Sequence, residues 1–225
     1  MGHFERAWEI LNLNTFVQIA FMDKMFSFDE IMQLPSRYRA NLINMVSGFK
    51  AANLIGTKSK NGRTNLAVFN SVVHIGANPP YLGFILRPTT VERHTYENLK
   101  ETGVYTINQI TTAIHKQAHR TSAKYDRAIS EFDAVGLTEF YQNDFHAPFV
   151  AESHIKIGLS FQEEHLVKCN NTRLIIGKIE HLILPEKAIL EDGDVNLEDL
   201  DTAAVAGLYN YYSPEHLGKY GYVKP

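Results

Sequence analysis

Arg87, Arg93, His94 and Thr95 place the chemistry of anion binding in one short stretch of chain. Arg87 closes an apolar run, Arg93 and His94 follow in a loop, and Thr95 is positioned to cap a helix over Tyr96 to Glu101 that Gly103 would terminate. A helix N-terminus presents free N–H groups and the positive end of the helix dipole, which suits a phosphate dianion. Guanidinium groups would add paired, charge-assisted hydrogen bonds. The same spacing also fits a surface loop with two solvated arginines, and the residues alone leave both possibilities open.

A second candidate is Asn65-Leu66-Ala67-Val68-Phe69-Asn70-Ser71. At the period of a strand, Asn65, Ala67, Phe69 and Ser71 share one face. Small residues there would let a planar ring approach backbone N–H and C=O groups, although the pattern alone favours Ala67 and Ser71 as residues fitting a tight barrel interior. The ten histidines prompt a search for metal ligands. His115 and His119 are spaced to share one helix face, but no acidic or cysteine ligand completes a set, so they read as helix-surface residues and no metal is expected. Glu163, Glu164 and His165 read as solvated. The sequence contains no GxSxG elbow, Walker loop or GxGxxG segment, which leaves hydrolase and dinucleotide-fold chemistry without support.

The bulk properties narrow the class. The chain has 225 residues, a net charge of −3 and 44% hydrophobic residues, which suits one large globular domain or a domain with extensions. The weakly acidic balance argues against a general nucleic-acid binder. A single cysteine, Cys169, excludes an intramolecular disulfide; it lies in an apolar-alternating run and reads as core. Polar residues interrupt the N-terminal apolar stretch, so neither a secretory signal nor a membrane span is expected, and the cytoplasm is the default location.

These groups must be positioned by strands more than by helices. Residues 1–25 carry helical spacing at Phe4, Ala7, Trp8 and Leu11, and Ser27-x-x-Glu30 forms a capping-box pattern for a helix over Phe28 to Gln33. Pro35 to Arg39 reads as extended, Asn41 to Ser47 alternates imperfectly, and Phe49 to Thr57 reads as a strand. The Asn61-Gly62 pair signals a hairpin, with Asn65 to Ile75 as the returning strand and Tyr81 to Leu86 as the next. Val104 to Asn108, Phe149 to Val167 and Thr172 to Leu184 follow as strands, with a helical pattern from Thr112 to about Arg127 and a short one at Ser130 to Asp133. With no long helix between the early strands, an antiparallel arrangement is expected. The pattern as a whole predicts a mainly β protein, a barrel decorated by short helices.

In order and spacing, several segments resemble the flavin reductase-like family over about residues 35–185. They include Ala52-Asn53-Leu54-Ile55-Gly56-Thr57, the Asn61-Gly62 hairpin, Asn65 to Ser71, Asn78-Pro79-Pro80, Arg87-Pro88, Arg93-His94-Thr95-x-x-Asn98, Glu101-Thr102-Gly103, Thr121 to Tyr125, Ser130-Glu131-Phe132, Gly136-Leu137 and Leu174 to Ile179. The resemblance implies a split β-barrel that binds FMN and forms a homodimer with the flavin near the dimer interface. It implies that Thr57, Leu66, Ala67, Val68, Phe69, Asn70 and Ser71 lie along the isoalloxazine ring, and that Arg87, Arg93 and Thr95 hold the phosphate. Ser122 and Lys124, in the Thr121 to Lys124 loop, would lie over the flavin or reach it from the dimer mate. Residues 1–34 would be an extension, helical or partly disordered, and residues 186–225 a second extension packed on the barrel or the mate.

The activity so implied is reduction of flavin by NAD(P)H, through hydride transfer to flavin N5. An acceptor protein or a partner monooxygenase would be served; nucleic acid and membrane would not be partners. Such a transfer needs stacking and orientation more than a protein acid or base, so no catalytic residue is named. Where some flavin reductases carry a histidine five residues before the glycine matching Gly177, this chain has Thr172. That departure keeps alive a flavoredoxin-like electron carrier that does not use nicotinamide directly. A protein of this fold with another ligand in its pocket is a third possibility.

Overall fold

The computed structural model describes residues 23–224. Among the described residues the chain divides into two compact units, residues 23–40 and 41–224. The helical expectation for residues 1–25 lies almost wholly outside the described residues.

In the first unit, α1 (Phe28–Gln33) begins with the expected capping box. The Ser27 N–H donates to Glu30 Oε2 at 2.7 Å, and the Glu30 N–H donates to Ser27 Oγ at 3.3 Å. The extended segment expected after it is instead the start of a helix, α2 (Ser36–Val46), whose residues from Asn41 on belong to the second unit. Pro35 ends α1 and opens α2, because its fixed φ and missing N–H are tolerated in a helix's first turn. Arg39 in α2 then donates to the carbonyls of Met32 and Leu34 at the end of α1. The imperfect alternation of Asn41 to Ser47 belongs to this helix, where Leu42, Met45 and Val46 follow helical rather than strand spacing.

The second unit is built on a seven-stranded antiparallel sheet. Its strands are β2 (Asn53–Lys58), β3 (Thr64–Phe69), β4 (Val72–Ala77), β5 (Pro80–Leu86), β6 (Val104–Gln109), β9 (Lys156–Val167) and β10 (Thr172–Ile183), in the order β3-β2-β6-β9-β10-β5-β4. The first strand expected from sequence is thus two, since β1 (Phe49–Ala51) breaks from β2 at Ala52 and joins β11 (Ala204–Ala206) and β12 (Asn210–Tyr212) in a separate sheet. The expected strand from Asn65 to Ile75 also divides, at Asn70 and Ser71. Only these two residues separate β3 from β4, yet the two strands lie at opposite ends of the sheet order. So short a link cannot span a flat sheet, so the edges must approach each other and the sheet curls into a barrel split between β3 and β4. Ser71 fastens the seam by donating to the Ile85 carbonyl at 3.0 Å and accepting the Ile85 N–H at 3.2 Å. This is the expected mainly β split barrel.

Among the described residues, two large apolar clusters and a smaller one around Phe145 and Phe149 hold the barrel. Ile55, Phe84, Tyr105, Ile107, Leu159 and Ile175 form the inner one. Leu54, Leu66, Ile110, Ala118, Phe132 and Val205 form an outer one, to which α4 (His115–Arg120) and α5 (Glu131–Val135) contribute. β2 serves both through alternating Leu54 and Ile55, which explains its nearly continuous burial. The β2–β3 hairpin uses positive φ at Gly62 alone, not at Asn61. The helix expected from Thr112 to Arg127 is shorter, a 3₁₀ turn (Thr112–Ile114) followed by α4. The expected strand from Phe149 likewise resolves into β8 (Phe149–Val150), paired with β7 (Glu139–Phe140), and then β9.

Two side chains differ from expectation. Cys169 is exposed, because the run that carries it leaves β9 at Val167 and enters the β9–β10 turn, where Asn171 takes φ of 58°. Glu164 is not solvated. Its Oε1 accepts from Arg173 at 3.1 Å and from Tyr96 at 3.2 Å, tying β9 and β10 to the helix that precedes β6.

Candidate functional site

That helix, α3 (His94–Thr102), starts one residue before the expected cap, with Arg93 as its N-cap and Gly103 in the left-handed conformation closing it. Thr95 therefore lies inside the first turn, where it does not cap. Its hydroxyl is buried and accepts from Asn65 Nδ2 at 3.0 Å. Asn65 also reaches Thr57 Oγ1 at 3.4 Å, and Asn98, one turn along α3, donates to the same Thr57 oxygen at 3.2 Å. Thr57, Asn65, Thr95 and Asn98 are thus one buried polar hub joining β2, β3 and the start of α3. Buried polar groups persist only when bonded, so the hub fixes the helix start against the strands.

Beside the hub lies a small recess. The β2–β3 hairpin contributes Ser59, Arg63, Thr64 and Asn65, α3 contributes His94 and Asn98, and Arg127, Ile129 and Glu131 complete the wall. The first main-chain bond of α3 runs from the Glu97 N–H to the Arg93 carbonyl at 3.0 Å. The N–H groups of His94, Thr95 and Tyr96 form no bond among the described residues, which is the usual state of a helix's first turn and the usual anchor of an anion. Of the predicted phosphate ligands, Thr95 enters the hub. Arg93 is half-buried, its Nε donating to the Pro88 carbonyl at 3.3 Å, and Arg87 is exposed. Neither arginine is among the residues lining the recess. Its lining guanidiniums are Arg63 and Arg127, the latter paired with Glu97.

β3 is an edge strand, and its outer side is the second half of the site. The Leu66 N–H points away from β2 and is accepted by Glu131 Oε2 at 3.0 Å. Strand alternation then turns the N–H and C=O of Val68 outward too, and no bond to them forms among the described residues. Leu66 and Val68 pack their side chains on the outer core and Phe69 on the inner one. Asn70 donates to the Gly207 carbonyl at 2.9 Å, and Ser71 is spent on the seam, so their side chains work structurally. Ala67 is half-buried between them. Ser122 and Lys124 are exposed in the segment after α4 and do not line the recess.

His94 falls within the anion-binding stretch read from the sequence, whereas Asn65, Asn98, Arg63, Arg127 and Glu131 carry no signal there as cofactor ligands. Asn65 and Asn98 lay within quoted segments, and their burial is what identifies them. Glu131 is 6% exposed, and burial raises its carboxyl above the usual carboxylate range against the Leu66 N–H bond, which lowers it. His115 and His119 do share a helix, but their ring nitrogens face the Thr112 carbonyl and the Tyr211 hydroxyl. No cluster of metal-ligand residues occurs among the described residues, and no helix there is long and apolar enough to cross a membrane.

Comparison with known proteins places this geometry. The model of the flavin reductase like domain matches residues 47–198. The structure is similar to that of a candidate flavin reductase with a split barrel domain from Shewanella frigidimarina NCIMB 400. The two share 45% identity with a TM-score of 0.86, over 89% of this chain and 100% of that one. Nitrilotriacetate monooxygenase component B from Bacillus cereus shares the fold at 18% identity, with a TM-score of 0.76 over 88% of this chain and 100% of that one. Flavoredoxin of Desulfovibrio vulgaris (Miyazaki F) does so at 24% identity, with a TM-score of 0.66 over 76% and 90%. With most of its length matched and the split barrel in place, the chain belongs to the flavin reductase-like domain family, whose setting is flavin-related oxidoreductase chemistry.

Proposed function

We propose that the chain binds FMN and reduces it with NAD(P)H. The observation that carries this is the adjacency of two features, the unpaired outer backbone at Val68 and the cation-lined recess at the start of α3. A flavin needs both, since its pyrimidine edge pairs with backbone groups and its phosphate needs N–H groups and cations. Leu66 to Ser71 would line the ring, with Thr57 close by. The α3 start with Arg93, Arg87 and Thr95 would hold the phosphate, Arg63 would add charge from the recess, and His94 would offer it a ring N–H. Bound there, FMN would supply two-electron redox chemistry. The chain's part is orientation, because β3 fixes the ring plane while the hub fixes the helix against β3.

On this reading residues 35–185 carry the flavin, and residues 1–34 and 186–225 are extensions. The cytoplasm is the setting and a homodimer the working form, with Ser122 and Lys124 closing over the flavin of either protomer. Reduced flavin would pass to a partner monooxygenase or electrons to an acceptor protein. A second reading, an electron carrier that keeps its FMN, is favoured by Thr172. Its hydroxyl donates to Asn170 Oδ1 at 2.8 Å within the β9–β10 turn, so it offers no ring to a nicotinamide.

Anaerobic addition of NADH or NADPH to the FMN-loaded protein separates the two. Rapid bleaching near 450 nm is expected. A yellow protein inert to both donors would overturn the reductase reading in favour of the carrier.

A further inference from the structure

The recess holds a carboxylate among its cations. Glu131 lies at the first turn of α5, 6% exposed, with the Leu66 N–H as its bonded partner. Charged and titratable groups lie on each neighbouring element: Arg63 on the β2–β3 hairpin, Glu139 on β7 beside the start of β3, His94 on α3, Arg127 on the segment before α5, and Arg120 on α4, whose guanidinium bonds the Ala134 carbonyl. Asp133 on its own helix is exposed. Glu139 accepts from the Thr64 hydroxyl, and Arg127 is already neutralised by Glu97. His94 lies 4.0 Å from Glu92. Among the described residues, Arg63 is thus the guanidinium of the lining without an ion-pair partner, and Glu131 is the buried carboxylate of the same lining.

A phosphate monoester brings roughly 1.5 to 2 negative charges at neutral pH. Added to an ionised Glu131, it would set a second anion in the recess beside a buried carboxylate whose bonded partner is the Leu66 N–H. Like charges confined together take up a proton. We propose that seating a phosphate monoester in this recess is coupled to protonation of Glu131, so that this residue sets the pH range over which the site takes up FMN. The proposal rests on the FMN reading above. Burial of Glu131 already favours its protonated form. A protonated Glu131 can still accept the Leu66 N–H on one oxygen while offering an O–H to the phosphate, so β3 keeps its anchor.

The test is FMN affinity from about pH 5.5 to 8.5, read by flavin fluorescence, for the wild type and Glu131→Gln, with riboflavin as the phosphate-free probe. Wild-type FMN affinity is expected to fall about tenfold further across this range than that of the glutamine variant, one unit of coupling. Riboflavin affinity should not show the difference. Calorimetry of FMN binding to the wild type in two buffers of different ionisation enthalpy should record proton uptake that riboflavin does not cause, and it decides the matter should the variant not fold. Uptake that disappears in His94→Asn would assign the proton to the histidine and overturn the proposal. FMN profiles that coincide for wild type and variant would overturn it while leaving the FMN reading in place. A wild type that binds neither flavin would remove that reading and the proposal together.

Discussion

Replacing Asn65 and Asn98 by alanine, singly and together, probes the hub that sets the start of α3. Asn65→Ala removes the 3.0 Å bond to Thr95 and the long 3.4 Å contact to Thr57, while Thr57 keeps its 3.2 Å bond from Asn98. One buried oxygen loses its donor, so a loss of about 1–2 kcal/mol is expected. Asn98→Ala leaves Thr57 with only the long contact and should cost about 1 kcal/mol. In the double variant the Thr57 oxygen, at 0% exposure, loses both donors. The double loss should therefore exceed the sum of the single losses by about 0.5–1 kcal/mol. Urea denaturation followed by far-UV circular dichroism measures all three, with an unchanged slope required for the comparison. In a Thr57→Val background the shared acceptor is gone and the excess should vanish. Additive losses in the wild-type background would refute a hub that shares Thr57.

Three further outcomes test other parts of the structure. A methyl at Gly177 would meet the Tyr105 ring, 2.9 Å from Cζ and closer still to the hydroxyl, so Gly177→Ala should cost about 1–3 kcal/mol. The Tyr105 hydroxyl is buried without a partner among the described residues, so Tyr105→Phe should be tolerated and should relieve the hydroxyl part of that clash while the ring carbons keep the rest, read from denaturation midpoints. Arg93→Ala should weaken FMN binding by about 1.5–3 kcal/mol and leave riboflavin binding unchanged in fluorescence titration; equal effects on both would remove Arg93 from the phosphate site. Exposed Cys169 should react with Ellman's reagent in the native protein at one thiol per chain, and a need for denaturant would contradict its placement.

The features legible in the sequence are those whose physics is local. The Ser27–Glu30 box, the Gly62 turn and the Gly103 stop each follow from neighbours within one turn of chain, and the structure places them accordingly. The hub was hidden because Asn65 and Asn98 meet only after β3 and α3 pack, and a single asparagine carries no sign of burial. The seam at Asn70–Ser71 was hidden for a different reason. Two consecutive polar residues, Asn70 and Ser71, interrupt the apolar run there, but nothing in the pattern shows that the chain changes its partner from β2 to β5. Pro35 misled because proline breaks one helix and starts another equally well. Glu131 sat inside a segment already matched to the family, yet its role depends on an edge-strand N–H that no sequence pattern displays.

The central claim is a flavin site made of the β3 edge and the α3 recess. The spectrum of the purified chain, incubated with FMN and then desalted, tests it most directly. A protein-bound band near 450 nm, at about one flavin per chain and lost on Arg93→Ala, is the predicted result. A colourless protein that retains no FMN under these conditions would contradict the account.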